Sequence, residues 1–207
     1  MNVENIQSFI EYRFSPLSIS QLISRQLVSW ALSIACIWLG EKNWWGILSF
    51  VIFDLLILCV GIYIAKNGLQ KKNSKFLWDG MTLLYLSICL NVIAYHILAR
   101  NTAGSLLLAL ALFVLLLICL LFSGLLVCCS IKKNRYSEDA PASESSHVAY
   151  IFAVIGLLSA KICLSTITDQ MGLQIVALIL LLLSYILAFG WTNVIKLILN
   201  CKINNSH

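Results

Sequence analysis

The chain has 207 residues, of which 60% are hydrophobic and only 11% are charged. This balance lies outside the range of soluble domains and excludes an ordinary water-soluble protein. The net charge of +5 does not indicate a nucleic-acid partner, because the basic residues lie in short stretches between apolar runs. The sequence therefore predicts an integral membrane protein whose solvent is the lipid bilayer.

The segment before the first apolar run predicts a short amphipathic helix over residues 1–16, lying in the inner membrane interface. Its apolar residues recur at helical spacing. They are Val3, Ile6, Phe9, Ile10 and Phe14. We expect Ser15 to cap the first spanning helix and Pro16 to occupy its first turn. A frayed polar tail is the alternative.

Six apolar runs are long enough to cross the hydrocarbon core as helices, which takes about 20 residues at a rise of ~1.5 Å each. They cover residues 19–40, 44–65, 77–99, 103–129, 148–168 and 172–194. The predicted fold class is all-α: a six-transmembrane-helix bundle that forms a single membrane domain over residues 1–207.

The basic residues predict the orientation of this bundle. All but Lys42, Arg100 and Lys161 of the fourteen Lys and Arg residues fall in the N-terminal segment up to Arg25, in the second and fourth loops, or in the tail. Because cytoplasmic loops carry the excess of Lys and Arg, we expect both termini to be cytoplasmic. Residues 131–147 are polar and broken by Pro141, which predicts a flexible cytoplasmic loop.

Two charged residues, Asp54 and Lys161, lie well inside apolar runs, away from the inner boundary. A charge at the bilayer centre costs ~2.5 kcal/mol or more unless it is paired or hydrated, so each one needs a partner. Their depths differ by about 5 Å in an antiparallel pair. Three interpretations stay open: an ion pair that locks two helices, an ion or substrate site that includes Ser165 and Thr168, or a Lys161 that snorkels to the outer interface.

A second pair of opposite charges, Arg25 and Asp79, is predicted near the inner boundary. An ion pair and snorkelling of Arg25 would both satisfy the charge, and nearby cytoplasmic headgroups favour snorkelling.

Small residues at spacings of three and four predict close helix packing, within the bundle or against another subunit. The first run carries Ser29, Ser33, Cys36 and Gly40, and the second carries Gly61 and Ala65.

Most cysteines lie in apolar runs, where a thiol behaves as a small hydrophobe, so no disulfide framework is predicted. Cys128 and Cys129 directly precede Lys132 and Lys133. In a eukaryotic host this context suits S-palmitoylation, although two cysteines at a helix end also arise without a role.

No stretch matches a metal, redox or nucleophile motif, so the sequence predicts no enzyme, metal or cofactor. The favoured hypothesis is a non-enzymatic accessory or interaction protein with other membrane-protein subunits as partners. The alternative is a small-solute transporter, or a solute-binding transporter subunit, with a small-molecule ligand near Asp54 and Lys161.

Overall fold

A computed structural model describes residues 3–12, 14, 16–39, 44–69, 71–99, 105–133, 135–136 and 169–204. This part of the chain is 91% helical and contains no strand. Its helices are α1 (Val3–Glu11), α2 (Ile19–Leu39), α3 (Trp44–Asn67), α4 (Lys72–Ala99), α5 (Ser105–Lys132), α6 (Asp169–Ala188) and α7 (Trp191–Asn204). The all-α fold is therefore confirmed for the described residues.

Within the described residues, four helical stretches are long and apolar enough to cross a membrane. They are Trp44–Lys66, Lys72–Ala99, Leu106–Lys132 and Met171–Ile203. The described residues therefore support four of the predicted spans and not six. Helix α2 has 21 residues but is not among the four, because Gln21, Arg25 and Gln26 make its first half polar. The predicted span 148–168 lies outside the described residues.

Helix α2 begins at Ile19 rather than next to Ser15, and Ser18 caps it. The Ser18 hydroxyl accepts a hydrogen bond from the Gln21 N–H at 3.2 Å, and the Gln21 side chain accepts one from the Ser18 N–H at 3.3 Å. This reciprocal capping box satisfies two N–H donors at the helix start. Ser15, the N-cap expected from the sequence, lies outside the described residues.

Helix α4 lies at the centre of the bundle and contacts α2, α3, α5, α6 and α7. Helices α4 and α6 run antiparallel, and Ser87 and Ser184 join them. Each hydroxyl donates to the backbone carbonyl of the other residue at 2.8 Å. Small side chains at the crossing allow this close approach, because they leave room for backbone contacts between helices.

The last predicted span, residues 172–194, is not one continuous helix. Helix α6 ends at Ala188, and a turn at Phe189 and Gly190 leads into α7. A Cβ atom on Gly190 would lie 2.4 Å from the Cβ of Leu83, so only glycine lets the turn approach α4 this closely.

Helix α1 is amphipathic, as predicted, but its apolar face contacts protein. Phe9 and Ile10 are 3% and 2% exposed, and Phe9 belongs to a cluster with Val127 and Ile131 of α5. The Asn5 side chain donates to the Ile131 carbonyl at 3.2 Å. The sequence predicted the apolar face of α1 and could not predict what covers it.

Helix α1 contacts the end of α5 and helix α7, and the end of α3 and the start of α4 lie beside it; we call this region the α1 end. The Leu17 N–H donates to the Leu69 carbonyl at 3.2 Å, and Lys72 and Glu11 form an exposed ion pair at 2.8 Å. Basic residues are concentrated here: Lys66, Lys71, Lys72, Lys75, Lys132, Lys133, Arg135, Lys196 and Lys202. The cytoplasmic location of this end stays a prediction.

Candidate functional site

Polar side chains on one face of α2 bind partners on α3 and α4. Residues spaced by three or four positions share a helix face, and Arg25, Ser29 and Ser33 follow this spacing. The Ser29 hydroxyl donates to Oδ1 of Asp54 on α3 at 2.7 Å. The Ser33 hydroxyl and the Tyr85 hydroxyl of α4 lie 2.7 Å apart. We call this series of contacts the polar track.

Asp79 forms the charged end of the polar track. It accepts a hydrogen bond from the Arg25 guanidinium in an ion pair, and its Oδ2 lies 3.4 Å from Nζ of Lys75, one turn earlier on α4. Asp79 is only 7% exposed. The sequence favoured snorkelling of Arg25, whereas the structure pairs it, because α2 and α4 run side by side and bring a buried carboxylate within reach.

The stripe of small residues on α2 packs inside the bundle. Ser29, Ser33 and Cys36 are 0%, 2% and 0% exposed, and the Cys36 thiol donates to the Cys89 carbonyl of α4 at 3.4 Å. Of the two alternatives left by the sequence, contact within the bundle applies to these three residues. Gly40 lies outside the described residues.

The predicted partnership of Asp54 with Lys161 stays a prediction, because Lys161, Ser165 and Thr168 all lie outside the described residues. In the described part of the chain, the hydrogen-bond donor to Asp54 is Ser29. Sequence analysis had assigned Ser29 only to helix packing. Ser29 lies near the middle of its apolar run, as Asp54 does in the next one, and this similar depth was the signal that could have identified their contact.

Gly61 makes the close helix contact predicted for α3. A Cβ atom on Gly61 would lie 3.1 Å from the ring of Trp78 on α4, whereas Ala65 is exposed. Both residues line an open cavity of about 280 Å³ between α2 and α3. Gln26 and Trp78 also line it, and their buried side-chain nitrogens have no hydrogen-bond partner among the described residues.

A second cavity, of about 340 Å³, lies at the α1 end between α1, α5 and α7. Lys196 of α7 lines it, and its ammonium donates to the Tyr12 carbonyl at 3.1 Å. Sequence analysis had counted Lys196 only as a basic residue of the tail. Its spacing from Asn193 and Asn200 along one face of α7 was the signal for a polar contact surface.

The remaining predicted residues lie apart from the polar track. Cys128 and Cys129 are exposed at the end of α5, and S-palmitoylation there stays a prediction. All seven cysteines of the described part are free thiols. Within that part, no group of three His, Cys, Asp or Glu side chains is arranged to hold a metal ion.

Comparison with known protein families, with curated proteins and with solved structures finds no match to this chain.

Proposed function

We propose that this protein is a non-enzymatic membrane protein that acts through interactions, as an accessory subunit or partner within a membrane complex. One observation carries the proposal: three polar side chains on one face of α2 are bonded to other helices of the same bundle. Arg25 binds Asp79, Ser29 binds Asp54 and Ser33 contacts Tyr85. Groups engaged in this way hold helices together instead of binding a solute.

The three described cavities support this proposal. Two are described above, with volumes of about 280 and 340 Å³, and a third, of about 360 Å³, lies between α4 and α5. Arg25, Asp54 and Asp79 line none of the three. A hydrated transport pathway would be expected to run past the intramembrane charges, because those charges need water or a ligand when they are not paired.

Transport of a small solute is the rival proposal. The cavity beside α3 favours it, because Leu58, Gly61 and Ala65 line that cavity and share a helix face with Asp54. A rotation of α3 would bring the carboxylate towards the cavity.

Labelling of native cysteines distinguishes the two proposals. Cys36 lies one turn after Ser33 on the α2 face that carries the polar track and is 0% exposed, whereas Cys201 on α7 is exposed. Two variants of the full chain, each retaining one of these cysteines, would be treated in membranes with a charged, water-soluble thiosulfonate reagent. Cys201 should react at once, and Cys36 should react only after denaturation in SDS. Reaction of Cys36 in the folded protein, at a rate near that of Cys201, would support transport instead.

A second measurement tests the interaction itself. The full chain, expressed at its native level and extracted in a mild detergent, should migrate on a non-denaturing gel as part of a larger assembly of fixed stoichiometry. Migration as a single chain, under conditions that preserve other membrane complexes, would contradict the proposal.

A further inference from the structure

Lys196 is a cation surrounded by aromatic rings and backbone. Its ammonium lies 4.9 Å from the centre of the Phe9 ring and 5.6 Å from that of Phe76. It donates one hydrogen bond, to the Tyr12 carbonyl at 3.1 Å. Because an ammonium carries three N–H donors, this carbonyl engages only part of its capacity.

The charge of Lys196 has no carboxylate of its own. Asp79 and Lys75 are charged groups that act on the pKa of Lys196 in opposite directions, and Asp79 already forms ion pairs with both Arg25 and Lys75. Among the described residues, no carboxylate lies within ion-pair distance of Lys196. Arg25, Lys75 and Lys196 are thus three cations, and Asp79 is the one anion among these four residues. A cation withdrawn from water is stabilised when an anion is bound beside it.

The cavity that Lys196 lines contains further hydrogen-bonding side chains. Ser130 of α5 and Thr192 and Asn193 of α7 are among its lining residues. The backbone N–H groups of Thr192 and Asn193 already donate to the carbonyls of Phe189 and Gly190, each at 3.0 Å. Side chains rather than backbone are therefore the groups available to a ligand in this cavity.

We propose that this cavity binds a phosphate group and that Lys196 supplies the cation. A phosphate monoester presents three terminal oxygens and carries up to about two negative charges, so it can accept bonds from an ammonium, hydroxyls and an amide together. The phosphate can belong to a lipid headgroup or to a soluble phosphate compound. The cavity lies at the α1 end, where basic residues are concentrated, and such pockets suit anionic headgroups.

Binding of two phosphate sources to the full chain tests this proposal. Phosphatidate and phosphatidylcholine with identical acyl chains would be titrated into the detergent-solubilised protein and counted by native mass spectrometry. Inorganic phosphate would be titrated by calorimetry. We expect phosphatidate or inorganic phosphate to bind and phosphatidylcholine to bind more weakly. Tighter binding of phosphatidate than of inorganic phosphate identifies a lipid ligand. Similar affinities for phosphatidate and inorganic phosphate identify a soluble one.

Lys196→Gln should weaken phosphate binding roughly 10- to 100-fold, the usual effect of losing a charge-assisted hydrogen bond. Lys202→Gln is the matched control, because Lys202 is an exposed lysine of the same helix. The affinity of this variant for phosphate should equal that of the wild type. The double variant Ser130→Ala with Asn193→Ala keeps the lysine and should also weaken binding. This second variant decides the matter if Lys196→Gln does not fold.

Three results would overturn the proposal. One is that neither phosphatidate nor inorganic phosphate binds. Another is equal weakening by Lys196→Gln and Lys202→Gln, which would indicate attraction to the overall positive charge. The third is a folded Ser130→Ala and Asn193→Ala variant with wild-type affinity for phosphate.

Discussion

Helices α4 and α5 each have 28 residues but occupy opposite surroundings. Asp79, Thr82, Ser87 and Asn91 of α4 are buried, whereas α5 is mostly leucine and other apolar residues. Within the most apolar window of each helix, 50% of the α4 residues are buried and 17% of the α5 residues. The more apolar helix is therefore the more exposed one.

This inversion follows from the solvent. In water, apolar side chains are driven into the core, whereas lipid tails solvate leucine as well as another leucine does. Polar side chains have no partners in lipid and gain most from meeting inside the bundle. Substitutions in the two helices test this contrast between α4 and α5.

Substitution of the buried carboxylate on α4 should have the largest effect. Asp79→Leu leaves the Arg25 and Lys75 cations without their acceptor, and loss of one partner of a buried ion pair costs about 3–5 kcal/mol. The measurement is the free energy of unfolding in mixed detergent and SDS micelles. Addition of Arg25→Met should restore part of the loss.

Glu11→Gln is the control for that variant, because Glu11 and Lys72 form an exposed pair. Its cost should stay below about 1 kcal/mol. Equal losses for Asp79→Leu and Glu11→Gln would contradict the assignment of Asp79 as a buried anchor.

Glycines on the two helices should respond oppositely to alanine. A Cβ atom on Gly80 of α4 would lie 2.6 Å from Cγ2 of Val194, a β-branched side chain with little freedom to move. We expect Gly80→Ala to lower the free energy of unfolding by about 1–3 kcal/mol. In α5, the nearest atom to a Cβ on Gly124 would be 3.9 Å away. Gly124→Ala should therefore stabilise the protein by up to about 1 kcal/mol.

The same unfolding assay compares both glycine variants. A Gly80→Ala variant at least as stable as the wild type would show that α4 and α7 are not in close contact there.

Serine hydroxyls should contribute less to the free energy of unfolding than the buried charge of Asp79 or the close helix contact at Gly80. Ser87→Ala removes the hydroxyl that donates to Ser184 on α6, and such interhelical bonds average about 0.6 kcal/mol and reach about 1.7. Ser123→Ala on α5 is the matched change, because its hydroxyl donates at 2.8 Å to Leu120 of its own helix. Its effect should be smaller than that of Ser87→Ala. The reverse order would argue against the α4–α6 bond.

The smallest effect is expected on the exposed face of α5. Leu121 is 70% exposed, so Leu121→Ala removes few protein contacts and should change the free energy of unfolding by no more than about 0.5 kcal/mol. A loss of more than this, measured in the purified single chain, would show that this face contacts protein in the folded state.

Sequence analysis predicted the local features of the chain better than its contacts. The α3 and α5 spans and the amphipathic character of α1 follow from composition and helical periodicity, which are properties of neighbouring residues. The stripe of small residues formed by Ser29, Ser33 and Cys36 was predicted as a packing surface. The helix that it packs against was not predicted. The break at Gly190 was missed, because the close approach of Leu83 that requires a glycine is not a local property.

The candidate site shows the same division. The sequence drew attention to Arg25, Asp54 and Asp79, because charges in apolar helices need partners. The sequence favoured snorkelling of Arg25, whereas Arg25 forms an ion pair with Asp79. It did not identify Ser29 as the hydrogen-bond donor to Asp54. It also counted Lys196 among the residues of the tail, since its aromatic neighbours Phe9 and Phe76 lie far away along the chain.

Composition and helical periodicity are enough to predict a helical chain with runs that are long and apolar enough to span a membrane, because both are properties of neighbouring residues. Which polar groups meet depends on how the helices pack. The tertiary structure pairs Arg25 with Asp79 and Ser29 with Asp54, and it leaves Lys196 beside a cavity without a carboxylate partner in the described residues. The physical reason is that lipid solvates every apolar face equally, so the few polar contacts between helices select the arrangement.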